Sequence, residues 1–148
     1  MVSSLRLVER SGGSRRAHLD FVVDGEPLTD RLAPVLGDYV AALVLDWPIG
    51  FPATDYGYLT GELPAPLPGG RVPLYICPEC GDLGCGGVTA VVERTPETVV
   101  WRDFGYQNDY DPFEPDPELA HVGPIVFDRQ AYDDALARFR DRWPTASG

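Results

Sequence analysis

The sequence predicts an α+β fold: an antiparallel β-sheet meander of about five or six strands with a C-terminal amphipathic helix packed on one face. Three observations carry this. Apolar residues alternate with polar ones in successive segments joined by short turns, these segments come as hairpins with no strand–helix–strand repeat between them, and the last apolar stripe recurs at helical spacing. At 148 residues the chain is read as a single domain, 1–148, large enough to bury a core without staples.

Leu5, Leu7 and then Ala17, Leu19, Phe21 and Val23 alternate around Ser11-Gly12-Gly13-Ser14, which is the pattern of a hairpin with one buried face. That period sends His18 and Asp20 to the opposite face and predicts His18 half-exposed on its strand. Asp24-Gly25 marks a turn. Thr29 or Asp30 then caps a helix whose apolar positions extend to Leu43, with an interruption at Pro34 and Gly37 and a restart near Pro34. From Trp47 to Gly70 the density of proline and glycine predicts an irregular loop that is no solvated linker, because Trp47, Phe51, Tyr56, Tyr58 and Leu59 are too apolar, and that reads equally as a functional loop or as a packed surface loop covering the sheet edge.

Val72, Leu74 and Ile76 alternate into the cysteine-bearing turn, Val88, Ala90 and Val92 lead out of it, and Val99 to Phe104 return after Thr95-Pro96-Glu97-Thr98. By this count Trp101 and Phe104 fall on opposite faces. The segment from Gly105 to Gly123 is acidic and holds Tyr106, Tyr110 and Phe113. It reads as a loop folded over the core, or as a docking surface for a basic protein. Asp109-x-Asp111 starts like a calcium loop, but Phe113 stands where the next ligand belongs, and calcium is excluded. Pro124 to Phe127 forms the last strand, Asp128 caps a helix, and Tyr132, Ala135, Leu136, Phe139 and Trp143 make its apolar stripe.

All three cysteines lie in Cys77-Pro78-Glu79-Cys80-Gly81-Asp82-Leu83-Gly84-Cys85. Two thiolates two residues apart clasp one tetrahedral ion, and glycine lets the backbone fold back toward the sulfurs. The leading expectation is therefore a structural zinc ion on Cys77, Cys80 and Cys85, with His18 or His121 as fourth ligand and Asp82 a poorer substitute. The same residues admit thiol–disulfide chemistry with Cys77 attacking and Cys80 or Cys85 resolving, or plain packing of small side chains. No complete catalytic set is visible, and the chain reads as a non-catalytic protein before it reads as an enzyme.

The net charge of −11 excludes nucleic acid and anionic membrane as partners, since a polyanion is repelled, and it permits a basic protein partner, as for an immunity-type protein. All twelve basic residues are arginine, a composition that carries no functional weight. No run of 18 apolar residues and no signal-peptide plan are present, which predicts a cytoplasmic protein with reduced thiols. The oligomeric state is left open.

Pro73-Leu74-Tyr75-Ile76-Cys77-Pro78-Glu79-Cys80-Gly81-Asp82-Leu83-Gly84-Cys85-Gly86, continued by Val100-Trp101-Arg102-Asp103-Phe104, resembles a group of small uncharacterised bacterial proteins with a CPECGDxGCG core. The resemblance covers about a quarter of the chain by this residue count. Some members carry an oxidoreductase label, which implies the redox alternative and transfers no catalytic residue.

Overall fold

The computed structural model describes residues 2–12, 15–36, 39–44, 53–77, 86–108, 113 and 116–142. In chain order these form β1 (Leu5–Gly12), β2 (Arg15–Val23), β3 (Glu26–Pro27), α1 (Leu28–Leu36), β4 (Val40–Ala41), α2 (Ala53–Thr60), β5 (Arg71–Ile76), β6 (Gly87–Arg94), β7 (Thr98–Gln107), β8 (Ile125–Asp128) and α3 (Arg129–Arg142). The class is α+β. One antiparallel sheet has the order β1-β2-β3 and a second the order β4-β5-β6-β7-β8, with the C-terminal helix packed against β1, β7 and β8.

The two sheets meet at two seams. His18 of β2 bridges Val44, Leu19 N–H donates to Leu43 O at 2.9 Å, and Ala42 N–H donates to Leu74 O at 2.9 Å, which carries the pairing from β2 through β4 to β5. At the other side Ser3, just before β1, bridges Phe127 of β8 in parallel, with Ser3 N–H donating to Val126 O at 2.6 Å. Backbone pairing thus runs in a ring around one core. Inside it Trp101 packs edge-to-face with Phe21, Phe127 and Tyr132 at centroid distances of 5.3, 5.1 and 6.0 Å, an arrangement that aligns a positive ring edge with a negative face.

The β1–β2 hairpin forms where the alternation placed it, and the Asp24-Gly25 turn proves to be a hairpin turn into the short β3. Val23 pairs with Glu26 across a two-residue turn in which Asp24 and Gly25 both take positive φ (52° and 83°), as an Asp-Gly hairpin requires. The β5–β6–β7–β8 meander and α3 also match expectation, and Asp128 caps α3 by accepting from Ala131 N–H at 2.9 Å. In the acidic segment Leu119 and Val122 are buried in the core, so this part of it folds inward.

Four expectations are corrected. The first helix is continuous through Pro34 and ends at Leu36, and Val40–Ala41 pairs as a strand with Ile76 and Tyr75. The apolar run 40–44 is buried at every position, which suits a strand enclosed on both faces better than an amphipathic helix. The stretch 47–70 is not wholly irregular, since it holds α2, whose Tyr56 and Leu59 are buried against α3. Tyr56 Oη–H donates to Leu136 O and Tyr132 Oη–H to Leu59 O, both at 2.8 Å, so tertiary contacts hold a helix that composition disfavours. Trp101 and Phe104 share one core cluster, because the pairing shifts from Thr89↔Gly105 to Val91↔Arg102 and the extra residue, a bulge with Asp103 at φ 55°, resets the alternation. His18 is 3 % exposed, since the Val44 bridge covers the edge of β2 that a lone hairpin would leave wet.

Candidate functional site

The cysteine segment lies in chain order between β5 and β6, which pair antiparallel. Ile76 pairs with Gly87, so Cys77 and Gly86 stand on either side of the hairpin mouth. Gly86 takes φ +87°, a conformation that L side chains rarely adopt. A Cβ there would stand 2.2 Å from the hydroxyl of the exposed Tyr106 on the neighbouring strand, so a side chain at this position would have to displace that ring as well as adopt the unfavourable φ. The Cys77 thiol is half-buried and free. Cys80, Asp82 and Cys85 lie outside the described residues.

The histidines sit elsewhere. His18 is buried in β2 and has a partner within the fold, whereas His121 is exposed on the turn after the 3-10 turn Pro117–Leu119. Among the described residues no group of three or more His, Cys, Asp and Glu side chains could hold a metal ion, so Cys77, His18 and His121 do not converge as a ligand set of their own. Of the aromatic residues in the acidic segment, Tyr106 is 42 % exposed, Phe113 lies over a guanidinium, and Tyr110 is outside the described residues.

Two features on β5 had no sequence signal. Near its C-terminal end, Tyr75 Oη–H donates to Asp20 Oδ1 at 2.5 Å, and Phe21 N–H donates to the same oxygen at 2.8 Å. Asp20 is fully buried. Its Oδ2 faces Arg10 Nε at 3.1 Å in an ion pair without hydrogen-bond alignment, and Arg10 itself is 45 % exposed. Burial and the neighbouring Asp20 carboxylate push the Tyr75 hydroxyl well above its ordinary pKa, so it stays a donor. A cavity of about 560 Å³ opens over Arg10, His18, Asp20 and Asp30.

At the other end of β5, Arg71 is buried beside a cavity of about 820 Å³. Its Nε donates to Thr89 Oγ1 at 2.9 Å, and its Nη2 donates to Thr89 O at 3.0 Å and to Asp103 O at 2.5 Å. The Phe113 ring covers the guanidinium carbon at 3.4 Å. Burial lowers the Arg71 pKa to about 10, which leaves it charged at neutral pH. The bulge at Asp103 is what turns a main-chain carbonyl toward it. Sequence reasoning had no means of finding this group, because its partners, one hydroxyl, two backbone carbonyls and a ring, lie far away in the chain.

Among the described residues no helix is long and apolar enough to cross a membrane. Compared with protein-family models, curated proteins and solved structures, the chain matches none.

Proposed function

We propose that the β5–β6 hairpin carries a structural zinc ion on the thiolates of Cys77, Cys80 and Cys85, and that the protein's role is non-catalytic. The observation that supports this is the Ile76↔Gly87 pairing: it ties the two ends of the segment that contains every cysteine of the chain, and so lowers the entropy lost when its thiolates gather on one ion. His121, exposed on its turn, is the histidine free to approach as fourth ligand, whereas His18 would have to leave its buried place in β2. Protein purified without a polyhistidine tag should contain one zinc per chain, lose melting temperature in chelator, and lose the metal on Cys77→Ser. Less than about a tenth of an equivalent of metal, with an unchanged melting temperature in chelator, refutes the proposal.

Thiol–disulfide exchange is the second reading, favoured by the half-buried Cys77 thiol at the mouth of the hairpin, with two further cysteines within eight residues of it in the sequence. It predicts that one cysteine is alkylated at neutral pH faster than a free model thiol. Equal rates at all three positions refute it.

A further inference from the structure

Arg71 is a buried cation whose bonding partners are a hydroxyl and two carbonyl oxygens, and no carboxylate among the described residues forms an ion pair with it. Asp103 gives it a carbonyl, while the Asp103 carboxylate is taken by Arg102, which also holds Glu93. The Asp103 carboxylate acts on Arg71 only at a distance, and burying a guanidinium without a directly paired countercharge is costly in a chain whose net charge of −11 makes carboxylates plentiful. Nε and Nη2 are fixed by three hydrogen bonds. Nη1 makes none among the described residues and is not enclosed, and the residue borders the 820 Å³ cavity. Most of the remaining wall is apolar, chiefly Phe104, Phe113, Leu119 and Val122, with Arg102, Asp103 and Asp116 as its other charged residues, and the volume falls in the range of small-molecule sites.

We propose that this cavity binds a small organic monocarboxylate, with its carboxylate on Arg71 Nη1 and an apolar or aromatic body against Phe104, Leu119 and Val122. A phosphate dianion fits less well. One uncommitted donor nitrogen does not balance two charges, Arg102 is already engaged by Glu93 and Asp103, and Asp116 lies at the same cavity.

Titration of the full chain, followed by amide NMR shifts, tests this with phenylacetate, indole-3-acetate and hexanoate, each against its neutral amide, and with inorganic phosphate as a separate arm. The carboxylates should bind about tenfold or more tightly than the amides, the difference made by one charge-assisted hydrogen bond. Arg71→Met should abolish that preference, and Ala120→Trp, which fills the cavity from an exposed position without touching the Arg71 hydrogen bonds, should abolish binding. Should Arg71→Met fail to fold, the amide comparison and Ala120→Trp decide. Equal binding of acid and amide, phosphate binding more tightly than the carboxylates, binding unchanged in Ala120→Trp, or no carboxylate binding below about 10 mM would each overturn the proposal.

Discussion

Replacing Tyr75 with Phe isolates the polar contact that ties β2 to β5. The ring remains buried and keeps its edge-on contact with Phe21 at 5.8 Å, so the substitution removes a hydroxyl and little packing. What is lost is the 2.5 Å hydrogen bond to the fully buried Asp20 carboxylate, which retains the Phe21 N–H and the Arg10 ion pair. A hydrogen bond to a charged group contributes about 1.5–3 kcal/mol, and the expected destabilisation is therefore about 2 kcal/mol. Arg10→Ala removes the half-exposed partner, whose contact is screened by solvent, and should cost under about 1 kcal/mol. Urea unfolding followed by far-ultraviolet circular dichroism measures both, with the slope m unchanged if the unfolded state is unaffected. Because the Tyr75 hydroxyl stays protonated well above its ordinary pKa, the loss should be constant between about pH 7 and pH 9. A loss below about 0.5 kcal/mol for Tyr75→Phe, or a larger loss for Arg10→Ala, would refute the assignment of the Asp20 charge to the interior hydroxyl.

Tyr132→Phe strands the buried Trp101 Nε1–H, which donates to the hydroxyl at 3.3 Å, and takes from Leu59 O its 2.8 Å hydrogen bond, leaving that oxygen only Arg94 Nη1 at 3.5 Å; thermal and urea melts should show a loss of about 1–3 kcal/mol, with α2 less protected in hydrogen exchange. Asp55, at the start of α2, has its carboxyl pushed up to about 6 by burial. Its folded pKa lies above the unfolded value of 3.8, so the stability it supports is complete below that value and is lost as pH rises through about 6. Asp55→Asn should accordingly raise stability by up to about 2 kcal/mol at pH 7.5, after a few tenths are given back at the helix N-terminus, and by almost nothing at pH 3.5. A gain that is the same at both pH values counts against the burial of the charge.

Period-two alternation was enough to place β1, β2 and the β5–β8 meander, and helical spacing with Asp128 as cap was enough to place α3, because each of those signals is local. What escaped is held by contacts far apart in the chain. α2 survives its proline- and glycine-rich setting through the Tyr56 and Tyr132 hydroxyls that reach across to α3 and back. Tyr39 to Val44 is a continuous apolar run, in which a buried strand and a helix end look alike until β5 supplies its hydrogen bonds. His18 and Asp20 read as solvent-facing because alternation assigns faces and says nothing about how far a sheet curls. The cysteine turn was legible as a motif and its position at a hairpin mouth followed from the flanking strands. Arg71 was not, since its role depends on a bulge two strands away.

Among the described residues the seam between β1 and β8 is closed by one rung at Ser3, and α3 packs against β1, β7 and β8 with Tyr132 and Leu136 sunk into the core. The helix therefore guards the two strand edges that the ring leaves short of partners. Unpaired edges of this kind are templates on which copies of a chain stack into filaments. A cut or frameshift near Arg129 would cost this protein more than the apolar surface of one helix. It would leave the seam closed by the Ser3 rung, with the edges of β1 and β8 beside that rung uncovered and open to pairing with another copy of the chain.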